Sequence, residues 1–341
     1  MEVHMRQETI RRIISFGLLV ILIAIFSFTT DSFLTWANIT TLLRECSVIG
    51  ILAIGVTMAI ITGGNDLSCG HLMGTVCMVF AHLYFYTKLS LVAIVLISLL
   101  AGLAGGLLNG ICIGVLQIPD FIATLSTQFI FTGVTYILAI RNEFGQIGAA
   151  QIKNITMVGL GEQLPGGIYL VTFAFFGLAI LAQIFLKKTK QGTYIYAIGA
   201  NRKSAEYSGI SFVKTKIIAF LISGFCAFVG AMFTIGRYHS NEVATGQTFA
   251  LQAISATVIG GAAFTGGRGD MIGTVIGVLF MQVLRNGMRK YGFTTQTQAV
   301  VSGIVIVLVL VFDAYYNEYM QKRTKRAAAA EREKKAVSAN G

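Results

Sequence analysis

Charge is scarce in this sequence. Only 12% of its 341 residues are Asp, Glu, Lys or Arg, about half the share of a water-soluble domain, so lipid is the solvent for most of the chain. Acids are the scarcer sign, 15 against 26 bases. Within the apolar runs Asp66 stands nearly alone, which speaks against an ion-coupled secondary carrier, since that class needs intramembrane acids. Cys46, Cys69, Cys77, Cys112 and Cys226 are scattered without a C-x-x-C pair and read as small buried hydrophobes, neither a disulfide set nor a metal site. His4, His71, His82 and His239 are too dispersed for a metal. There is no G-x-x-x-x-G-K-S/T loop, no H-E-x-x-H, no G-x-S-x-G and no dinucleotide fingerprint, so the chain is not an enzyme on its own and does not hydrolyse ATP by that route. No small-residue cleavage site follows the first apolar run, which reads as an uncleaved span.

What the chain has is apolar length and glycine. Hydrophobic residues make up 55%, with 38 Gly and only 2 Pro, the composition of helices packed closely without a hydrophobic force between them. Apolar runs predict about ten transmembrane helices, over 13–30, 47–62, 71–87, 89–109, 121–140, 168–186, 217–236, 250–264, 271–287 and 298–312. The fold class expected is an all-α polytopic membrane protein. Several runs are short, which suggests tilted or broken helices covered by protein.

The net charge of +11 is gathered at the N-terminus, in a central loop and in the tail. That is a topology and anionic-lipid signal, not a nucleic-acid one. With ten spans, all three clusters fall on one side, so the N- and C-termini and the loop 187–216 are expected in the cytoplasm. Arg285, Arg289 and Lys290 are the misfit, since this map puts them outside. The permease domain is expected over 1–316 and a charged, disordered tail over 317–341. Two outer segments stand out. The stretch 141–167 carries Glu143, Lys153 and Glu162, and 31–45 reads as an interfacial helix with Trp36 at headgroup level.

The loop 187–216 holds Lys187, Lys188, Lys190, Arg202, Lys203, Lys214 and Lys216 against a single acid, Glu206. Within it 197–210 reads as a short helix, Gly199 before it and Gly209 after, placed where a soluble partner could push.

A weak internal echo suggests duplication. Thr62-Gly63-Gly64, then Gly74-Thr75, returns as Thr265-Gly266-Gly267, then Gly273-Thr274; Asn109-Gly110 returns as Asn286-Gly287. Asp66, between two spans, has two readings. It caps the following helix with its carboxylate on the amides near Ser68 and Cys69, or it lines a polar path beside Thr62, Gly63, Gly64 and Asn65. Gly266, Gly267 and Arg268, ahead of Asp270, form either a tight turn or a cytoplasmic gate. Asn109, Gln117, Thr124, Thr127, Gln128, Gln183, Gln252, Gln282, Gln296 and Gln298 are polar groups in apolar runs. Interhelical glue, at about 0.5–2 kcal/mol each, is the plainer reading, and a hydrogen-bonding path for a hydroxylated solute the other.

Taken together, these motifs resemble the membrane permeases of bacterial ABC importers for ribose, xylose, arabinose and galactosides. The resemblance runs from about Phe33 to Phe312. It rests on Phe33-Leu34-Thr35-Trp36-Ala37-Asn38 and on Ile49 to Gly55. It rests equally on Thr62 to Ser68 with Gly70, on Ile118-Pro119-Asp120-Phe121-Ile122-Ala123-Thr124-Leu125, and on Val258 to Gly261 with Gly266 to Gly269 and Gly273-Thr274. Asn65, Cys69, His71, Glu206 and Tyr207 depart from the family pattern. Ala197 to Asn201, Ala205 and Ser208 to Ile210 resemble its coupling helix, which docks on the ATPase.

The resemblance implies a type II-like ABC importer permease bundle in the bacterial cytoplasmic (inner) membrane. Its partners would be a second permease chain, identical or not, a cytoplasmic ABC ATPase and an extracytoplasmic sugar-binding protein. No cofactor would be bound by this chain itself, ATP and Mg being used by the ATPase. The solute would be a monosaccharide, a ribose-like pentose or a hexose; the alternative is a nucleoside or a signalling furanose. Gly199, Asn201, Ser204, Ala205, Glu206, Ser208 and Gly209 are the residues expected to couple to the ATPase. Thr62, Gly63, Gly64, Asn65, Asp66, Asn109, Thr124, Gly266, Gly267 and Arg268 are those expected to shape the path or gate.

Overall fold

Long apolar runs without internal proline satisfy their own backbone as helices, the one open structure that can cross hydrocarbon. The computed structural model describes residues 2–141, 147, 150–152, 159–308, 311 and 315. Glu143, Lys153 and the tail 317–341 lie outside them. Two units are distinguished, Met1–Phe293 and Thr294–Gly341.

The first unit holds α1 (Glu2–Thr29), α2 (Trp36–Ile61), α3 (Cys69–Tyr86), α4 (Leu91–Gly114), α5 (Asp120–Leu138) and α6 (Leu170–Lys188). Two short helices follow, α7 (Lys190–Ala200) and α8 (Arg202–Tyr207), then α9 (Phe212–Tyr238), α10 (Phe249–Ile259) and α11 (Met271–Lys290). Two two-residue strands, Ala150–Gln151 and Ser240–Asn241, pair antiparallel. The second unit holds the apolar helix α12, Thr295–Leu308, entered through the Thr294 hydroxyl, which accepts from Thr297 N at 3.3 Å.

Every predicted apolar run contains a helix. Seven of the described helices are long and apolar enough to cross a membrane: α2 to α6, α9 and α11. The other three runs hold shorter apolar helices, Ile13–Thr29, Phe249–Ile259 and Thr295–Leu308. At 11 residues α10 rises about 16 Å, half a bilayer, where the sequence suggests a full span over 250–264.

The start of α2 corrects another expectation. There is no separate interfacial helix over 31–45: α2 runs unbroken from Trp36, its first turn capped by the Thr35 hydroxyl, which accepts from Asn38 N at 3.4 Å. Trp36 donates from Nε1 to Gly166 O at 3.0 Å.

The apolar segment of α2 is 83% buried, whereas those of α4, α5 and α6 are 28% buried. So α2 is the central post, and the other three turn most of their surface outward. Glycine makes the tightest seam. Gly102, Gly106, Gly110 and Gly114 recur at i+4 on one face of α4 and lie against α9. A Cβ added at Gly110 would stand 2.8 Å from Ile217 Cα, and one at Gly102 would stand 2.9 Å from Gly224 O. Backbones meet there with no side chain between them. Threonines bond other contacts: Thr57 Oγ1 lies 2.8 Å from Thr274 Oγ1 and 3.2 Å from Thr257 Oγ1, joining α2, α10 and α11. Cys46, Cys69, Cys77 and Cys226 are buried thiols among these helices.

Candidate functional site

The two echoed glycine turns meet in space. After α2, Gly63 has φ +79°; before α11, Gly266 and Gly267 have φ +84° and +73°. These are left-handed conformations that only glycine adopts freely. They let backbone touch backbone: a Cβ on Gly266 would lie 2.7 Å from Gly63 Cα, and Gly267 N donates to Ile61 O at 2.8 Å. Each turn is followed by an acid that takes an amide at a helix start. Asp66 Oδ1 accepts from Ser68 N at 2.9 Å, and Asp270 Oδ1 from Gly273 N at 2.8 Å. Asp270 is the N-cap residue of α11, whereas at α3 the cap position is Ser68 and Asp66 works from two residues upstream. Thr62, buried, returns its hydroxyl to Ala59 O at 2.7 Å. The Arg268 carbonyl accepts from Ala263 N at 3.2 Å.

Asp66 is also the centre of a buried polar knot. Its Oδ1 accepts from Ser68 Oγ at 2.7 Å and its Oδ2 from Ser223 Oγ at 2.5 Å. Asn109 Nδ2 donates to Ser68 Oγ at 2.7 Å, and Thr127 Oγ1 donates to Asn109 Oδ1 at 2.6 Å. Thr124 Oγ1 donates to Asp120 O at 2.8 Å and reaches Asn65 O at 3.2 Å. Asn65, Asp66, Asn109 and Thr124, four of the residues expected to shape a path, therefore belong to one cluster joining the start of α3 to α4, α5 and α9. Both carboxylate oxygens are engaged, so the local chemistry is that of a fixed acid tying four helices. Asn65 Oδ1 and His71 Nδ1 are buried without a hydrogen-bond partner among the described residues.

The polar loop forms an arm beneath both turns. Its geometry corrects the expected short helix. Gly199 lies inside α7, not ahead of the helix, pressed on Ile61 O and Gly267 N with no room for a side chain. The short helix is α8, six residues starting after Asn201. The chain breaks between α7 and α8 because Asn201 is extended (φ −160°, ψ 102°) and caps α8, its Oδ1 accepting from Ser204 N at 3.0 Å. Tyr196 OH donates to Gly269 O at 2.7 Å. One arm thus holds the first turn through Gly199 and the second through Tyr196.

In α8 only Ala205 is buried, while Asn201, Ser204, Glu206, Ser208 and Gly209 are exposed. Glu206 pairs with Arg202 at 3.1 Å on the solvent side, a contact worth under about 1 kcal/mol. Ser208 Oγ donates to Ser204 O at 3.0 Å, and Gly209 ends the helix at φ +81°. Tyr207 is 91% exposed.

Elsewhere in the first unit, the segment after α9 folds back. His239 closes α9 in a left-handed conformation (φ 51°), and Gly246 (φ +84°) packs on Gly70 at the start of α3. A cavity of about 260 Å³ opens there, lined by Thr234, Tyr238, Glu242, Thr245, Thr248 and Phe249 among others. Beside it Glu45 accepts from Gln282 Nε2 at 2.6 Å, from Arg289 Nη1 at 2.9 Å and from Arg237 Nη2 at 3.5 Å. This carboxylate gives Arg289, one of the misfit bases of α11, a partner, which softens part of the unfavourable charge the sequence map puts outside.

Sequence reading misses Ser223 and the cavity, and it names Ser68 only for its amide and Tyr207 only as a departure from the family pattern. A serine in an apolar helix and an aromatic in a polar loop are weak signals alone. Glu242 and Thr245 sit in a segment whose dip between helices has no periodic trace.

A protein family described as "Branched-chain amino acid transport system / permease component" matches residues 38–310. The chain is 33% identical over 295 residues to the ribose import permease protein RbsC of Bacillus subtilis (strain 168), covering 86% of this chain and 90% of the relative. It is 30% identical over 322 residues to the galactose/methyl galactoside import permease protein MglC of Escherichia coli (strain K12), covering 89% and 94%. It is 31% identical over 349 aligned positions to the xylose transport system permease protein XylH of Haemophilus influenzae (strain ATCC 51907 / DSM 11121 / KW20 / Rd), covering 86% and 93%.

Proposed function

The chain belongs to the branched-chain amino acid transport system / permease component family, and on that premise we propose that it forms the path of an ATP-driven monosaccharide importer. It is a transport subunit and not an enzyme. A separate ATPase docks on α8, a second permease chain completes the path, and an extracytoplasmic binding protein delivers a ribose-like pentose or a hexose. The helices of the ten apolar runs cross or enter the inner membrane, with both termini and the arm 190–207 in the cytoplasm. The observation that carries this reading is the arm itself: an exposed, capped helix that follows, across the single residue Asn201, a helix touching both glycine turns. ATP-driven closure beneath it can bias the path only through contacts that differ between the ATPase states, and α8 offers the surface for them. The names of the relatives support a sugar as solute, and the cavity with its Thr, Tyr and Glu lining suits one that brings many hydroxyls.

The test is purification in mild detergent followed by reconstitution. An ATPase and a sugar-binding protein should co-purify, and the complex should take up labelled pentose or hexose only with ATP. Uphill transport by this chain alone would overturn the reading. Competition by nucleosides, and not by pentoses and hexoses, would replace the solute.

A further inference from the structure

Lys216 has no role in the reading above, yet its side chain is 2% exposed. A buried ammonium requires a partner, and Nζ lies 2.7 Å from Asp120 Oδ1 at the start of α5. Lys216, the last base of the polar loop 187–216, is in the second turn of α9, so the pair crosses from the arm's end of α9 to α5.

Both charges press on the first glycine turn. A Cβ added at Gly64 would stand 2.6 Å from Asp120 Cγ and 2.8 Å from Lys216 Nζ. On the other side, Lys216 Nζ lies 5.7 Å from the centroid of the Phe212 ring, and the Arg202 guanidinium lies 3.6 Å from that same centroid. Arg202 is the first residue of α8. The contacts Arg202, Phe212, Lys216, Asp120 and Gly64 therefore run without a gap from the exposed helix to the turn that carries Asp66. From Asp120 the series continues through Thr124 to Asn65 O.

We propose that the Lys216–Asp120 ion pair is a positioning element of transport: it passes displacement of α8 to the first glycine turn and the Asp66 knot. This rests on the reading of α8 as the ATPase contact. An ion pair suits the task because its attraction depends on distance and its hydrogen bond on direction, so Asp120 follows when Lys216 moves and both shift the surface on which Gly64 rests. A purely structural pair behaves otherwise. Replacing both members of a buried pair with neutral groups commonly leaves stability unchanged, and transport would then be unchanged as well.

The experiment uses the whole complex of permease, ATPase and binding protein in proteoliposomes, measuring ATP hydrolysis and solute uptake in the same vesicles. Wild-type uptake must first depend on ATP; if it does not, the preceding reading falls and this inference with it. In the double variant Lys216→Met with Asp120→Asn, the complex should assemble and hydrolyse ATP. Solute moved per ATP should fall about tenfold, within the range of coupling between distant sites. Unchanged uptake per ATP in an assembled double variant overturns the inference while leaving the importer reading intact. Should that variant fail to assemble, Phe212→Leu decides, since it removes the ring and keeps the ion pair: lowered uptake per ATP supports the relay, and an unchanged value overturns it.

Discussion

Asn38 and Asn286, 248 positions apart, exchange two hydrogen bonds: Asn38 Nδ2 donates to Asn286 Oδ1 at 3.0 Å, and Asn286 Nδ2 donates to Asn38 Oδ1 at 3.1 Å. Both side chains are buried. Asn38→Ala strands one amide in the core, at a cost of about 1–3 kcal/mol. The double variant Asn38→Leu with Asn286→Leu leaves no side-chain amide unpaired, only the Phe33 carbonyl that Asn38 Nδ2 also bonds at 2.8 Å, and should recover part of that loss. Unfolding in detergent with a denaturant series measures both.

Glu45 and the arginines around it fix an expectation about sidedness. On the proposed topology, which puts Lys290 on the outer face and α8 in the cytoplasm, Lys290→Cys should react with a membrane-impermeant maleimide added outside intact cells. Tyr207→Cys should react only after the membrane is opened. Four of the native thiols are buried, so background labelling should be low. Labelling of both positions from one side would redraw the path of the chain between α9 and α11.

Gly209 sits at φ +81° with open space where a Cβ would go. The penalty for a side chain there is conformational, about 1–2 kcal/mol for a residue with a Cβ. Gly209→Asn should keep most ATPase co-purification and uptake, since Asn tolerates this backbone, whereas Gly209→Val should lose both. Equal behaviour of the two variants would remove the backbone as the cause.

Gly106 is different because space is the limit. A Cβ there would lie 3.1 Å from the Phe220 carbonyl carbon and 3.2 Å from Gly224 Cα, with the Phe220 oxygen nearer still. Gly106→Val should destabilise by about 1–3 kcal/mol or more and be seen as loss of monodisperse protein in detergent. Gly133, with nothing within 4 Å of an added Cβ, is the control, and Gly133→Ala should behave as wild type.

The cavity makes a prediction separable from folding. Thr245→Trp places a large ring among Tyr238, Glu242 and Phe249. Uptake should fall at least about tenfold, the scale of a 1.4 kcal/mol change, while ATPase co-purification persists. Normal uptake would take the cavity off the solute's route.

Much of this architecture is legible in the sequence because lipid enforces it: every predicted apolar run holds a helix, and the echoed Thr-Gly-Gly turns prefigure the two that touch. The half-length of α10 is harder to see, since 250–264 stays apolar past Ile259 and only the glycines at 260 and 261 mark the stop. The break at Asn201 is a capping event, and Asn-x-x-Ser in a polar loop has many equally plausible registers. Lys216–Asp120 joins positions 96 apart. Sequence can show a lysine entering an apolar run and an acid after Pro119, but nothing local says that they meet. The knot around Asp66 is legible only in part: the acid is conspicuous and Asn109, Thr124 and Thr127 stand out as polar groups in apolar runs, while Ser223 looks like an ordinary residue of its helix.

Where Gly63, Gly199 and Gly266 converge, three main chains touch with no rotamer between them to absorb a displacement. The compliance of that junction is that of peptide geometry, where a tenth of an ångström imposed on the arm has nowhere to dissipate. Such a joint transmits faithfully and drifts poorly. On the proposed docking of an ATPase at α8, adaptation to a new motor protein would have to be written on the outward residues of that helix, leaving the inner contact untouched.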